Sequence, residues 1–190
     1  MITDEDEIKR LGKLYPVILS DYDHGWPEIY AAEKKHIEDA LGAGNIARIS
    51  HIGSTSITGM TAKPTIDILL EVRGELEDDR IIAALTGIGY GYDPQPQNPP
   101  PHMMFMKGYG REGFEGQAYH VHVRYEGDWD ELYFREYLST HPEAAEEYAD
   151  LKRRLKESYE FDREAYTKGK SEFVRIAMKK AREEIKEIPL

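Results

Sequence analysis

Apolar residues recur along this chain with two periods, and the switches between them mark out its elements. Ile29, Ile37 and Leu41, with Ala40 beside them, return at helical spacing; Pro27 suits a first helical position and Gly42 to Gly44 supply a stop. Before them LYPVILS looks extended and DYDHGWP reads as a turn. NIARISHIGS reads as a strand entering a tight Gly-Ser turn, and PTIDILLEV is an apolar run interrupted only by Asp67 and the terminal Glu71. Such a run belongs to a strand buried on both faces. DDRIIAALTGI, residues 78–88, fits a short helix whose acidic first turn favours the helix dipole. GYGYDPQPQNPPPH holds five prolines, too many for a regular element, so residues 93–101 are expected to form a loop bordering an active site or a partner contact. MMFMKG and QAYHVHVRYEG look like two strands joined by the Gly-rich GYGREGFEG.

From Asp130 the period becomes helical: LYFREYL, then Pro142 opening AAEEYADLKRRL, then DREAYTKGKSEFVRIAMKKAREEI. Tyr148, Leu151 and Leu155, and further on Phe173, Ile176 and Ala177, give these helices apolar stripes that must be buried. Residues 1–14 read as a mobile, charged tail and residues 15–190 as a single domain. The order of elements predicts an α+β fold with a C-terminal helical segment.

Composition narrows the chemistry. The chain has 190 residues and no cysteine, which excludes disulfide scaffolds, thiolate metal sites and thiol nucleophiles; a metal would be held by oxygen and imidazole. Net charge is −11, and residues 141–190 carry 12 groups of each sign, so the acidic excess lies in residues 1–140. A long nucleic-acid footprint is not expected of such a chain, whereas small anions held by a few placed cations are. No apolar stretch approaches a membrane span and the opening MITDEDEIKR is too polar for a signal peptide, so a soluble, cytoplasmic protein is expected.

Two constellations can carry chemistry. Asp67 is a carboxylate inside a buried strand, where it needs a cation, a metal or hydrogen-bond donors; an ion pair with Arg48 or Lys63 is the alternative to a functional role. His120, His122 and Arg124 alternate with Val121 and Val123 and share one strand face, a plausible grip for metal or phosphate, with a merely solvated face as the alternative. In the tail, Tyr166 and Lys170 are four apart beside Gly169, so a phenol and an ammonium can reach one ligand.

The stretches VILSDYDHGWPEIYAAE, HIGSTSITGMTAKPTIDILLEV, HVHV, FREYLSTHPEAAEEYADLK and YTKGKSEF, in this order over roughly residues 17–176, resemble the GrpB family of the nucleotidyltransferase-like fold superfamily. The resemblance implies a mixed β-sheet with flanking helices, a Gly-Ser turn for nucleotide phosphates, and carboxylates on adjacent strands holding divalent metal. Gly53 and Ser54 match the turn and Asp67 the first carboxylate of an Asp-x-Asp pair. Leu69 stands where the second carboxylate belongs, and His120 or His122 where a later one would stand. The expected function is metal-dependent nucleotidyl transfer from a nucleoside triphosphate to a small acceptor. Gly53, Ser54 and Thr55 would cradle phosphate, and Lys63, Arg124 and Lys170 would neutralise it. Asp67, His120 and His122 would hold manganese, magnesium or zinc or supply a base, with Leu69 favouring a single ion and imidazole favouring manganese or zinc. The alternatives are a non-catalytic nucleotide or anion binder and a metal-dependent phosphoester hydrolase.

Overall fold

The computed structural model describes residues 4–74, 76–95 and 102–186. Residues 4–14, expected as a tail, are helical: α1 runs Asp4–Leu14. Gly12 lies buried on the backbone of Phe161, where a Cβ would collide with the carbonyl oxygen, so the missing side chain lets this charged helix rest on the chain. Helix α2 (Trp26–Leu41) starts with Pro27 in its first turn and ends at Gly42, whose φ of +81° suits glycine alone. Its buried stripe of Trp26, Ile37 and Leu41 follows the predicted helical spacing. The LYPVILS stretch holds no regular strand; it touches the sheet region through an isolated bridge between Ser20 and Ala62.

Five strands follow: β1 (Ile46–Ile52), β2 (Thr65–Val72), β3 (Gly91–Pro94), β4 (Met103–Gly110) and β5 (Gly113–Tyr125), with helix α3 (Asp78–Gly87) between β2 and β3. They form one mixed sheet in the order β1-β2-β5-β4-β3. Only β2 and β5 run parallel, and their register sets Asp67 beside His120 and Leu69 beside His122. The expected Gly-rich connection is mostly strand: β4 and β5 continue until Gly110 faces Gly113. Gly108, at φ +88°, makes the bulge that closes them, since a Cβ there would strike the backbone of Gln117 and Ala118. Residues 96–101 of the proline-rich loop lie outside the described residues.

Alternation along β2 divides the core. Ile66, Ile68, Leu70 and Val72 pack with Trp26, Ile37 and Leu41 of α2 and Ile81 and Leu85 of α3. The odd residues face the opposite layer, made by helices α4 (Asp130–Thr140), α5 (Pro142–Tyr159), α6 (Arg163–Gly169) and α7 (Ser171–Glu184). There Leu69 packs with Ile52 of β1 and Leu132 of α4. A second cluster joins Tyr133, Tyr137 and Leu138 of α4 to Tyr148 of α5 and Ala177 and Ala181 of α7. Ile176, expected in the buried stripe of the last helix, is instead 44% exposed, and the helix turns Ala177 and Ala181 inward. The helical pattern after residue 162 is also broken in two at Lys170. Asp162 caps α6 by accepting from the Ala165 amide, and Gly169 packs so closely on Leu155 that a Cβ would overlap it.

Candidate functional site

The odd face of β2 changes character residue by residue. Glu71 is fully buried, bound by the Arg48 guanidinium and by the Gly127 amide at 3.0 Å. Leu69 is apolar core. Only Asp67, beyond the edge of α4's cover, opens into a cleft, of about 400 Å³, between the sheet and helices α5 and α6. The ion-pair alternative for Asp67 fails in its Arg48 form because Arg48 is taken by Glu71. Glu71 is equally unable to replace the carboxylate missing at Leu69.

Asp67 meets both histidines. His120 Nδ1 is 3.1 Å and His122 Nε2 3.8 Å from Asp67 Oδ1. One ligand atom from each of the three residues lies within 4.8 Å of the others, which suits a single ion. Burial by itself would raise the Asp67 carboxyl, but the hydrogen bonds and charges of His120 and His122 outweigh it and hold the group well below the usual carboxylate range. Behind His120, the Tyr109 hydroxyl is 2.7 Å from Nε2 and also accepts from Arg163 Nη2 at 3.3 Å. With Nε2–H donating to Tyr109, the Nδ1 lone pair turns toward Asp67 and a cation fits between them; without a cation, Nδ1–H donates to Asp67. The donor set of one carboxylate and two imidazoles, one oriented by an outer phenol, therefore fits a divalent metal.

The Gly-Ser turn forms one wall. Gly53 has φ +69°, and a Cβ on it would collide with the Asp67 carboxylate, so the turn reaches this carboxylate only because residue 53 is glycine. Ser54 opens a short 3-10 turn, Ser54–Ser56, whose first amides have no partner within the turn. Thr55 does not face the cleft, contrary to expectation. It is buried, its hydroxyl donating to the Thr65 carbonyl at 3.0 Å and lying 3.0 Å from His51 Nε2, so it pins the turn from inside.

Cations also line the cleft: Lys63, Lys152 and Lys170, with Arg163. None of the three lysines has a carboxylate partner among the described residues. Lys170 lies 4.7 Å and Lys63 5.8 Å from the centre of the Tyr166 ring. Lys152, 2% exposed, donates to Ser54 Oγ at 3.1 Å and to the Thr61 carbonyl. Burial, then the neighbouring Lys170, Arg153 and Lys63, push the Lys152 ammonium down to about 7. Burial, with Lys170 and Arg163, pushes Lys63 down to about 8 against the opposing pull of Asp67. Lys170 is lowered as well, by burial first, with Asp67 opposing. The Tyr166 hydroxyl, which also lines the cleft, is buried without a hydrogen-bond partner among the described residues.

Arg124 is not brought to this site. It sits further along β5, donating to Glu131 at 3.3 Å and lying over the Trp129 ring in a separate hollow with His102. One strand face puts its side chain on the right layer, but two residues of strand rise carry it past the cleft's end. Sequence reasoning missed Lys152, Arg163 and Tyr109. Lys152 carried a signal: it lies four residues after Tyr148 on the buried face of α5, where a lysine is out of place. Arg163 and Tyr109 had none.

Known proteins share this arrangement of sheet and helices. The crystal structure of conserved protein GrpB from Enterococcus faecalis matches with a TM-score of 0.77 and 28% identity, over 90% of this chain and 100% of that one. The family described as GrpB protein matches residues 16–180, and the chain belongs to that family. A UPF0157 protein of Pseudomonas aeruginosa is 41% identical over 153 residues, 80% of this chain and 62% of that protein. UPF0157 protein YqkA of Bacillus subtilis is 35% identical over 175 residues, 89% of this chain and 49% of its own length. The chain thus spans 62% and 49% of these two relatives. The glutamate-rich protein GrpB of Alkalihalophilus pseudofirmus is 33% identical over 83% of this chain and 91% of its own. Among the described residues no helix is long and apolar enough to cross a membrane.

Proposed function

We propose that the cleft binds a divalent metal together with a nucleoside triphosphate and transfers its nucleotidyl group to a small acceptor. The observation that carries this reading is the juxtaposition, in one cleft, of the Asp67–His120–His122 cluster with three carboxylate-free lysines and Arg163. Four cations facing one carboxylate leave an excess of positive charge that a polyphosphate would neutralise. Gly53 and Ser54 line the same cleft, and the Ser54 hydroxyl adds a neutral donor there.

Asp67, His120 and His122 would hold the ion, which when bound supplies Lewis-acid polarisation of a phosphoryl oxygen. Lys63, Lys152, Lys170 and Arg163 offset the charge that gathers on the phosphates as the acceptor oxygen bonds to the α-phosphorus. The bond from that phosphorus to the β-phosphate oxygen breaks, pyrophosphate leaves, and the acceptor's proton passes to solvent. Solvent reaches the site, since the Asp67 and His122 side chains are 28% and 25% exposed.

A second reading, nucleotide or anion binding without turnover, is favoured by Leu69 in the core and Glu71 locked to Arg48, which leave Asp67 as the cleft's sole β2 carboxylate. Incubation with each nucleoside triphosphate, a panel of small alcohols and amines, and manganese, magnesium or zinc separates the two. Pyrophosphate release that depends on metal and on Asp67 supports transfer. Metal-dependent binding with no pyrophosphate supports the binder, and phosphate release from simple phosphomonoesters would replace both by a hydrolase.

A further inference from the structure

Lys63 and Arg163 have a second side. Both also line an adjoining hollow, of about 270 Å³, whose apolar walls are Pro16, Ile18, Pro64, Phe114 and Ala118, with Thr65, Gly116 and Gln117 between them. The lining of this hollow is more apolar than that of the metal cleft. Ile18 and Phe114 leave 43% and 37% of their surface exposed, apolar area that folding does not cover. Phe114 is held by an edge contact with Tyr15 and a tilted one with Tyr109, ring centres 5.4 Å away in each case, so its uncovered area belongs to a braced wall. The Tyr15 hydroxyl is itself tied to the Gly110 carbonyl. Gln117 at the floor donates through Nε2 to the Pro64 and Ala118 carbonyls, which leaves its amide oxygen as an acceptor.

We propose that this hollow is the base subsite of the nucleotide, with Lys63 and Arg163 standing where phosphates leave the metal cleft and the planar, apolar end of the ligand begins. The inference rests on the triphosphate reading above and extends it to the rest of the ligand. A flat heteroaromatic ring suits a slot between two prolines, an isoleucine and a braced phenylalanine. Stacking there is tolerant of ring identity, so affinity should vary little among the bases. The two cations shared by both hollows fix the order of the parts, phosphate toward Asp67 and base toward Phe114.

Inorganic tripolyphosphate separates the two halves of the ligand. Calorimetric titration with manganese present would compare tripolyphosphate with ATP and GTP on the wild type, on Phe114→Ser and on Ile18→Ser. Both positions are partly exposed, and unchanged melting temperatures would show that the variants fold. The expected result is wild-type affinity for tripolyphosphate in each variant and a loss of about tenfold or more for ATP and GTP in Phe114→Ser. Tripolyphosphate binding to the wild type with no tighter binding of nucleotides, or variants that bind nucleotides unchanged, would overturn the base subsite and leave the phosphate reading standing. Failure of the wild type to bind tripolyphosphate would overturn both.

Discussion

Asp67 is the residue on which the cluster turns, because both imidazoles reach it and no other carboxylate enters the cleft among the described residues. Asp67→Asn should remove the rise in melting temperature that manganese or zinc produces, while the metal-free protein remains folded; an unchanged rise would mean that the ion binds elsewhere. Protonated imidazole cannot coordinate, so metal affinity should also weaken as the solution is acidified, which calorimetric titration with manganese at successive pH values would show. Glu71, four residues on, makes the opposite prediction. Its carboxylate is sealed in the core with Arg48, so Arg48→Met should strand a buried charge and destabilise the protein by about 3–5 kcal/mol in urea unfolding. Metal binding should survive that change. Two carboxylates on one strand face thus divide into one that opens on the cleft beside two histidines and one locked in a buried ion pair, which the sequence pattern does not distinguish.

At the level of elements, the parallel pairing of β2 and β5 does the positioning, and the Gly53 turn closes on it. Gly53→Ala would push a methyl group into the Asp67 carboxylate at a backbone angle that alanine resists. Metal affinity should fall at least about tenfold, with a smaller loss of melting temperature than of affinity; preserved affinity would show that the turn has room to move. Much of this scaffold was legible beforehand. The uninterrupted apolar run marked β2, and the alternation of His120, Val121, His122 and Val123 marked the face of β5, because strand geometry repeats every second residue. What stayed hidden depends on distance along the chain. Nothing local separates Arg124, claimed by Glu131, from Lys170, which faces the cleft, or reveals that Thr55 turns inward to Thr65. The break at Lys170 did carry a local signal, the poor helix former Gly169 just before it, but the packing of that glycine on Leu155 of α5 is a contact the local pattern does not show. Conversely, a charged opening segment gave no hint of α1, which Gly12 and the Phe161 backbone hold in place.

For the molecule as a whole, the crowded lysines couple ligand binding to protons and stability to pH. Lys152 is lowered to about 7 and Lys63 to about 8, against 10.5 in the unfolded chain. Between these values the unfolded state binds more protons than the folded one, so ligand-free stability contributed by these groups should rise as pH climbs from about 7 toward 10.5. Below about 7 both states are protonated and the full penalty of the buried charges remains. Tripolyphosphate reverses the preference by favouring the ammonium forms. Its binding at pH 8 should take up protons, seen as a calorimetric heat that changes with the buffer's ionisation enthalpy; equal heats in all buffers would count against charged lysines as the anion's partners. Lys170→Ala should weaken triphosphate binding more than nucleoside binding.

The cleft is also a seam between distant parts of the chain. The sheet side comes from residues 53–122, whereas Lys152, Arg163, Tyr166 and Lys170 come from α5, α6 and the α6–α7 junction. An anion lodged there would work as a clasp, adding to the bonds from Lys152 to Ser54 and Thr61 and from Arg163 to Tyr109 that already tie this helical flap to the sheet side. Protease nicking and amide exchange within α5 and α6 should therefore slow on loading with metal and tripolyphosphate, while exchange in β2 and β5, the buried neighbours inside the sheet, should slow only as much as the whole molecule is stabilised.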